Sequence, residues 1–520
     1  MPSSPAAAAA PTRPVDAKTW IGFGAMSVGM LLAILDIQIV ASSLPDIQVG
    51  LHLALAQLSW VQTAYLMAEI VAIPLTGWLT RVLSTRGAFV ASVAGFTLAS
   101  IACALSTGFW SLIPARVVQG FCGGLLIPLV FSAIFLMFPG PLRPRATAIA
   151  GAMAMVAPTL GPTVGGFITD SYSWHWLFLI NVIPGALVAL LVSVTVDIDR
   201  REPGSVASVD LWALPLLAIF LASLEVVLKE APHHRWDDPV VLVLTLLCLL
   251  GGFGTIRRSL THPRPLIDLA GFRDRNFTLG CGFSFVLGMG LYGATYLLPV
   301  FLGVVRDYEA FQIGLIMIVT GATQLAVAPL AAFLEPRIDR RLLTLVGYTL
   351  LAAGFLGNGF TTYATDFWGL FWQQMARGAA VMLCLLPSTA LALDALPTAD
   401  VPNASGIFNL MRNLGGAIGL ALIDTIVEQR APEHVRAIAA RLMAGDAAAA
   451  RFVGLPTDRF KGIPLTHIDQ ATRDFVAPLV RRAGLVAAFN DAWLFIGGLL
   501  LLSLLLLPLM RRGKSVQQEP

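Results

Sequence analysis

Charge is what this sequence has least of. Only 12% of its 520 residues are Asp, Glu, Lys or Arg, against 57% hydrophobic, and mean hydropathy is +0.77. An ordinary soluble domain carries about 25% charged residues. A soluble chain of this length would divide into several cores, each needing a polar shell, and the charges for those shells are missing. A soluble enzyme and a disordered chain are therefore excluded. The net charge of +3 leaves no broad basic face for a polyanion, so no nucleic-acid partner is expected. Cysteine is also scarce. Cys103, Cys122, Cys248, Cys281 and Cys384 all sit inside apolar runs and form no CxxC pair, as small buried hydrophobes do. Residues 1–19 lack a signal peptide's order of charge, apolar core and cleavage site, and read as a disordered tail. What remains is a polytopic, all-α membrane protein whose first partner is the lipid bilayer.

A helix needs about 20 apolar residues to cross a bilayer. Fourteen segments qualify: 20–45, 57–79, 87–106, 109–138, 146–170, 174–197, 209–229, 239–256, 276–303, 310–334, 342–362, 367–396, 404–428 and 487–510. With the N-terminus inside, the inner segments carry 19 Lys and Arg and the short outer loops carry 3. The positive-inside rule then places both termini in the cytoplasm. The outer loop 429–486 is the one sizeable polar segment, and its Ala-rich stretch Arg436 to Arg451 reads as a helix lying on the membrane.

A repeat organises these spans. Phe109-Trp110-Ser111-Leu112 recurs as Phe367-Trp368-Gly369-Leu370, an offset of 258. Gly120 meets Gly378 at the same offset, as do Ala146 and Ala404, Ile149 and Ile407, Met153 and Met411, and Gly161 and Gly419. The expected organisation is a tail (1–19), an N-terminal six-helix bundle (20–197), an inserted transmembrane hairpin with linkers (198–275), a C-terminal six-helix bundle (276–510) and a cytoplasmic tail (511–520). Parallel halves of this kind belong to rocking-bundle transporters, with a site near the midplane between them.

Four segments carry a family resemblance: Leu35-Asp36-Ile37-Gln38-Ile39-Val40-Ala41-Ser42-Ser43-Leu44-Pro45 in span 1, Arg116-Val117-Val118-Gln119-Gly120 in span 4, Ala157-Pro158-Thr159-Leu160-Gly161-Pro162-Thr163-Val164-Gly165-Gly166 in span 5, and Trp174-His175-Trp176 through Asn181-Val182-Ile183-Pro184-Gly185 opening span 6. Phe272-Arg273-Asp274-Arg275-Asn276-Phe277 before span 9 also fits. Through these motifs the sequence resembles the major facilitator superfamily, and within it the 14-span drug/proton antiporters typified by EmrB and QacA. The resemblance implies a proton-coupled antiporter that exports amphipathic drugs or other small molecules by alternating access. It also implies a Gram-negative inner membrane, the proton gradient as energy source with no cofactor, and a periplasmic membrane-fusion adaptor with an outer-membrane channel as partners. The alternatives are a dedicated exporter or flippase for one metabolite or lipid, and a non-transporting scaffold. One departure stands out: the loop after span 2 reads Gly77-Trp78-Leu79-Thr80-Arg81-Val82-Leu83-Ser84-Thr85-Arg86, without the acid that the family usually has there.

Charges inside spans are functional candidates by default. Asp36, Glu69, Arg116, Glu225, Arg377, Arg412 and Asp424 are such charges. Asp36 lies roughly 14 Å below Pro45 and Arg116 roughly 10 Å below Phe109 at 1.5 Å per residue, so the two share a depth and form a candidate proton-coupling pair. Glu69 lies near the midplane, a third coupling candidate and a receptor for an organic cation, with Gln38, Tyr65, Arg377 and Asp424 as further substrate-binding candidates. Pro158, Gly161, Pro162, Gly165 and Gly166 are gating candidates. The three glycines are expected on one side of span 5, packing it at the seam between halves. Gly288-Met289-Gly290-Leu291-Tyr292-Gly293 matches GxGxxG but lies inside an apolar span with no acidic ribose partner, and reads as helix packing. No Walker loop, HExxH or GxSxG occurs, which argues against ATP-driven transport and a hydrolase, and the lone pair His233-His234 is not expected to bind metal.

Overall fold

Apolar runs of 18–30 residues with helix-forming composition build helices wherever the chain is described. The computed structural model describes residues 16–138, 142–198, 210, 212–230, 238–262, 265, 267, 269–394, 396, 401–460, 462 and 470–511, and contains no strand among them. Most of the expected N- and C-terminal tails, much of the linker before the hairpin, and His233-His234 lie outside the described residues. The first half comprises α1 (Ala17–Ser42), α2 (Leu44–Gly50), α3 (Leu55–Leu58), α4 (Trp60–Ala72), α5 (Thr76–Ala104), α6 (Phe109–Met137), α7 (Arg143–Ser171), α8 (Trp176–Leu179) and α9 (Val182–Thr195). A hairpin follows, α10 (Ala213–Glu230) and α11 (Pro239–Thr261). The second half comprises α12 (Arg275–Val300), α13 (Ala310–Leu334), α14 (Arg340–Asn358), α15 (Phe367–Leu393), α16 (Val401–Met443), α17 (Ala447–Val453) and α18 (Gln470–Ser503). Several helices of the hairpin and second half start on an aspartate whose side chain accepts a backbone N–H: Asp238 from Val240, Asp274 from Phe277, Asp339 from Arg341 and Asp366 from Gly369.

Among the described residues, eleven helical stretches are long and apolar enough to cross a membrane. The difference from fourteen has three local causes. Trp60–Ala104 is one stretch of 45 residues, within which Ser84, at φ 68° and ψ 161°, breaks α5 where two spans were expected to meet. The helix of the hairpin's first limb is short, its apolar part being Ala213–Leu228. The helix α14 has only 19 residues and opens on Arg340 and Arg341.

The repeat extends through the backbone. The helices α1 and α12 begin at 17 and 275 and end at 42 and 300, the same offset of 258 at both ends, and α6 and α15 begin at 109 and 367. Equivalent close approaches recur: a Cβ on Gly120 would lie 2.3 Å from the Tyr65 carbonyl oxygen of α4, and one on Gly378 would lie 2.2 Å from the Thr320 carbonyl oxygen of α13. The halves meet along two seams, α7 against α13 and α4 against α16. The hairpin is not remote from them. Its α10 packs on both α4 and α16, with Leu217 and Leu221 sharing an apolar cluster with Ile70, Ile407 and Leu410.

The end of the bundle where α1 stops and α13 starts is called here the Pro45 face, and the opposite end, where α14 starts, the Arg340 face. At the Pro45 face α16 does not stop at residue 428 but continues unbroken to Met443, 43 residues in all. Its Ile438 and Leu442 pack against Val480 and Ala483 of α18 and Val453 of α17. The segment Arg436 to Arg451, expected as one helix lying on the membrane, is instead split at Gly445. Its first part continues α16 and its second part belongs to α17, the two packed with α18 in a helical projection that covers their apolar sides.

Candidate functional site

Two polar assemblies occupy the spans, one inside the first half and one between the halves. The first is built around Asp36. Its carboxylate is wholly buried and meets the Arg116 guanidinium at 2.5 Å. Gln119 Nε2 donates to Asp36 Oδ1 at 2.8 Å and Asn181 Nδ2 donates to the same oxygen at 2.7 Å. Gln119 Nε2 also donates to Ser100 Oγ at 2.9 Å, and Arg116 Nε donates to the Val61 carbonyl at 2.9 Å. Arg116 lies 4.6 Å from the Tyr65 ring centre, and Tyr65 OH donates to the Ala33 carbonyl at 3.2 Å. Side chains of α6 and the residue that opens α9 therefore converge on the α1 carboxylate, and Val61 of α4 and Ser100 of α5 accept hydrogen bonds from those α6 side chains. This buried pair ties helices together, with Arg116 Nη2 and Asn181 Oδ1 buried without a hydrogen-bond partner, and removing one member of the ion pair would strand the other charge at a cost of about 3–5 kcal/mol.

The second assembly crosses the α4–α16 seam. Asn413 Nδ2 of α16 donates to Glu69 Oε1 of α4 at 3.0 Å, and Tyr292 OH of α12 donates to Asn413 Oδ1 at 3.1 Å. The other Glu69 oxygen, Oε2, is buried with no hydrogen-bond partner. Nearer the Pro45 face, Tyr296 OH donates to Asp424 Oδ1 at 2.7 Å, and Ser59 Oγ of the first half donates to Asp424 Oδ2. Glu69 and Asp424 are thus two carboxylates at the boundary between halves, each bonded across it.

The α7–α13 seam is built differently. Thr159 Oγ1 donates to the Gly321 carbonyl at 3.1 Å and Thr163 Oγ1 to the Gly314 carbonyl at 3.0 Å. A Cβ on Gly166 would lie 2.2 Å from the Ala310 carbonyl oxygen, and one on Gly314 would lie 2.5 Å from that of Pro162. At the Pro45 face Phe311 N donates to Asp170 Oδ2 at 2.8 Å, so an α7 side chain caps the start of α13. Beside it, burial together with the Asp170 and Glu309 carboxylates pushes the Asp46 carboxyl up to about 6. Both seams hold the Pro45 face shut. At the Arg340 face, by contrast, the ion pairs among described residues, such as Arg340 with Asp394 and Glu335, and Arg86 with Asp197, each stay within one half.

The gating candidates do not share one side of α7. A Cβ on Gly161 would lie 2.4 Å from Gln38 Cβ, and one on Gly165 would lie 2.2 Å from the Ile39 carbonyl oxygen, so both glycines face α1 of their own half. Only Gly166 of the three faces the other half. Pro162 and Pro158 lie beside the seam, their carbonyls close to Gly314 and Gly321. Of the substrate candidates, Glu69 and Asp424 lie at the seam. Tyr65 is buried in the first half beneath Arg116, and Gln38 lies at the α1–α7 contact. Arg377 is buried within the second half, 5.0 Å from the Trp493 ring centre. Sequence reasoning gave no role to Ser59, Gln119, Asn181, Tyr292, Tyr296 or Asn413. Their signal is polarity within apolar runs, which Gln119 and Asn181 shared with motifs already quoted.

The family model of the Major Facilitator Superfamily matches residues 26–420. The chain belongs to that superfamily. It is 39% identical over 501 residues to the colistin resistance protein EmrB of Acinetobacter baumannii, covering 96% of this chain and 98% of that one. It is 30% identical over 482 residues to the multidrug export protein EmrB of Escherichia coli K12, covering 92% and 93%. Among solved structures it resembles the D-xylose-proton symporter, with TM-score 0.58, 16% identity and coverage of 78% and 90%. It also resembles a proton-dependent oligopeptide transporter, with TM-score 0.62, 15% identity and coverage of 95% and 99%. Members of the superfamily are transporters. Among the described residues of this one, no group of three or more His, Cys, Asp or Glu is placed to hold a metal ion.

Proposed function

We propose that this protein is a proton-coupled antiporter exporting amphipathic small molecules, organic cations foremost, across a bacterial inner membrane. The observation that carries the reading is the placement of Glu69: a buried carboxylate on the boundary between halves, held across it by Asn413 and retaining one oxygen without a partner. The multidrug and colistin-resistance names of its EmrB relatives favour a drug substrate. The charge bias of the short loops favours cytoplasmic termini and fourteen crossings, with Ser84 as the turn between spans 2 and 3. In that orientation the Pro45 face is periplasmic and the structure is closed to the periplasm.

Mechanistically, substrate from the cytoplasm and a proton compete for Glu69. A cation neutralises the carboxylate as a proton does, so either ligand removes the cost of a buried charge while the halves rock. Opening at the Pro45 face breaks the Ser59–Asp424 contact and exposes the seam to periplasmic protons, which displace the substrate. The Asp36–Arg116 assembly, which bonds α1 to α6 and to the start of α9, holds the first half rigid and is the second candidate for coupling. A membrane-fusion adaptor at the periplasmic side remains the proposed partner. The test is flux of a lipophilic cation dye in proteoliposomes under an imposed pH gradient. Glu69→Gln should abolish uphill flux while leaving the thermal midpoint within about 2 °C of wild type, because a neutral, hydrogen-bonded side chain remains. Uphill flux at the wild-type rate in Glu69→Gln would refute the assignment.

A further inference from the structure

The repeat lets the two halves be compared residue by residue. At the offset of 258, Arg116 and Gln119 of α6 correspond to Gln374 and Arg377 of α15. The Arg–Gln pair is preserved with its order exchanged, and its hydrogen bond is preserved too: Arg116 Nη1 donates to Gln119 Oε1, and Arg377 Nη2 donates to Gln374 Oε1. Asp36 corresponds to Ala294. The second half therefore has the donors of the first-half assembly and lacks its carboxylate.

The donors are left over. Arg377 is 2% exposed, and among the described residues no carboxylate reaches it. Its Nε and Nη1, with Gln374 Nε2, are buried without a hydrogen-bond partner. Phe355 and Trp493 lie 5.6 and 5.0 Å from the guanidinium and cover it with apolar surface. Guanidinium stays protonated in proteins, and a desolvated cation with unpaired N–H groups costs several kcal/mol unless a counter-charge meets it. Water would supply hydrogen bonds but no charge. We propose that the second half binds a small monovalent anion, of the size of chloride or formate, against Arg377 in the place the Asp36 carboxylate takes in the first half. This site is separate from the Glu69 seam, and the proposal does not rest on the transport reading.

The test uses the full chain in lipid nanodiscs at fixed pH and ionic strength, with sodium gluconate exchanged for sodium chloride or sodium formate. A ligand that binds only the folded state raises the thermal midpoint. The expected result is an upward shift of about 3 °C or more in at least one of the two salts. Chloride alone acting identifies a halide site, and formate alone a carboxylate site. Arg377→Gln should abolish the shift. Ala294→Asp, which supplies the missing carboxylate on the chain, should reduce it by at least half and raise the midpoint in gluconate. Equal wild-type midpoints in all three salts overturn the proposal, as does an undiminished shift in Arg377→Gln. Should Arg377→Gln fail to fold, an undiminished shift in Ala294→Asp overturns it instead.

Discussion

Gly165 and Gly166 are neighbours in sequence, and the structure predicts that adding one methyl group to each has different consequences. A Cβ on Gly165 would lie 2.2 Å from the Ile39 carbonyl oxygen, and one on Gly166 would lie 2.2 Å from that of Ala310. Both clashes require the facing backbone to retreat by about 1 Å, and overpacking of this size costs roughly 1–3 kcal/mol. The difference lies in which conformers bear it. The helices α1 and α7 belong to one half and stay together when the halves rock, so the Gly165 cost is common to both conformers. The helices α7 and α13 belong to different halves, so the Gly166 cost falls only on the conformer closed at the Pro45 face. A bias of about 1.4 kcal/mol is tenfold in population. Gly166→Ala should therefore raise the Pro45-open population about tenfold, while Gly165→Ala lowers the thermal midpoint and leaves the populations unchanged. Spin labels at Val49 and Phe360, both strongly exposed and in opposite halves, report this in a background without native cysteines, as a longer-distance component in pulsed electron resonance. A distance distribution unchanged by Gly166→Ala, or changed equally by both substitutions, would refute the division of these glycines between rigid half and moving seam.

Three further predictions follow from the same geometry. Asp36→Asn leaves the Arg116 charge buried without its partner and should cost about 3–5 kcal/mol of stability, read as a fall in thermal midpoint, whereas Asp36→Asn with Arg116→Gln should recover part of it. The Asp46 carboxyl, pushed from its ordinary 3.8 to about 6 by burial and by Asp170 and Glu309, binds its proton more tightly in the closed conformer. Asp170 belongs to the same half and stays beside Asp46 when the halves part, so only the Glu309 charge and burial at the seam are relieved on opening. The contribution of Asp46 to closure is present in full below its open-conformer pKa, which lies between 3.8 and about 6, and is lost as pH rises through about 6. Lowering pH from about 7 to 5 should shorten the Val49–Phe360 distances, and a response that survives Asp46→Asn would exclude this residue. Cysteines at the exposed positions Arg81 and Arg451 should label from opposite sides of the membrane, and labelling from the same side would end the fourteen-crossing reading.

Much of this fold is written in one-dimensional patterns. Apolar run length marks the helices, and the 258-residue offset seen in Phe109 and Phe367 runs through α1 and α12 as well. Equal depth along two helices was enough to pair Asp36 with Arg116, since both helices belong to one bundle. The glycine division was also legible in principle. Gly161 and Gly165 are four residues apart and share a helix face, whereas Gly166 is turned about 100° from Gly165. The extension of α16 past residue 428 was hidden because Arg430, Glu433, His434 and Arg436 end the apolar run by which a span is recognised. What makes that segment a helix in place is distant, chiefly Val480 and Ala483 of α18. The Glu69–Asn413 bond was hidden for the same reason, its partners being 344 residues apart with no local pattern linking them.

The two seams are related by the repeat yet differ in chemistry, and this bears on why an extra hairpin sits where it does. The Tyr65–Gly120 and Thr320–Gly378 approaches align α4 with α13 so that Glu69 corresponds to the uncharged Gln324, and at the offset of 258 Asp424 corresponds to Gly166. Within the spans, the α7–α13 seam is made of glycines, threonine hydroxyls and backbone carbonyls, none of which changes charge near neutral pH. The α4–α16 seam carries both carboxylates. Of the two seams, only α4–α16 can therefore respond directly to protons taken up inside the membrane, with the other as a close-packed pivot. A seam that alternates between charged and neutral forms is costly beside lipid, where an ionised group at mid-depth has no water to meet. The hairpin helix α10 lies across this seam, touching both α4 and α16 through Leu217 and Leu221. Its place is accounted for if it screens the titrating side of the molecule from the bilayer, since the pivot side, with no charge to hide within the spans, needs no such cover.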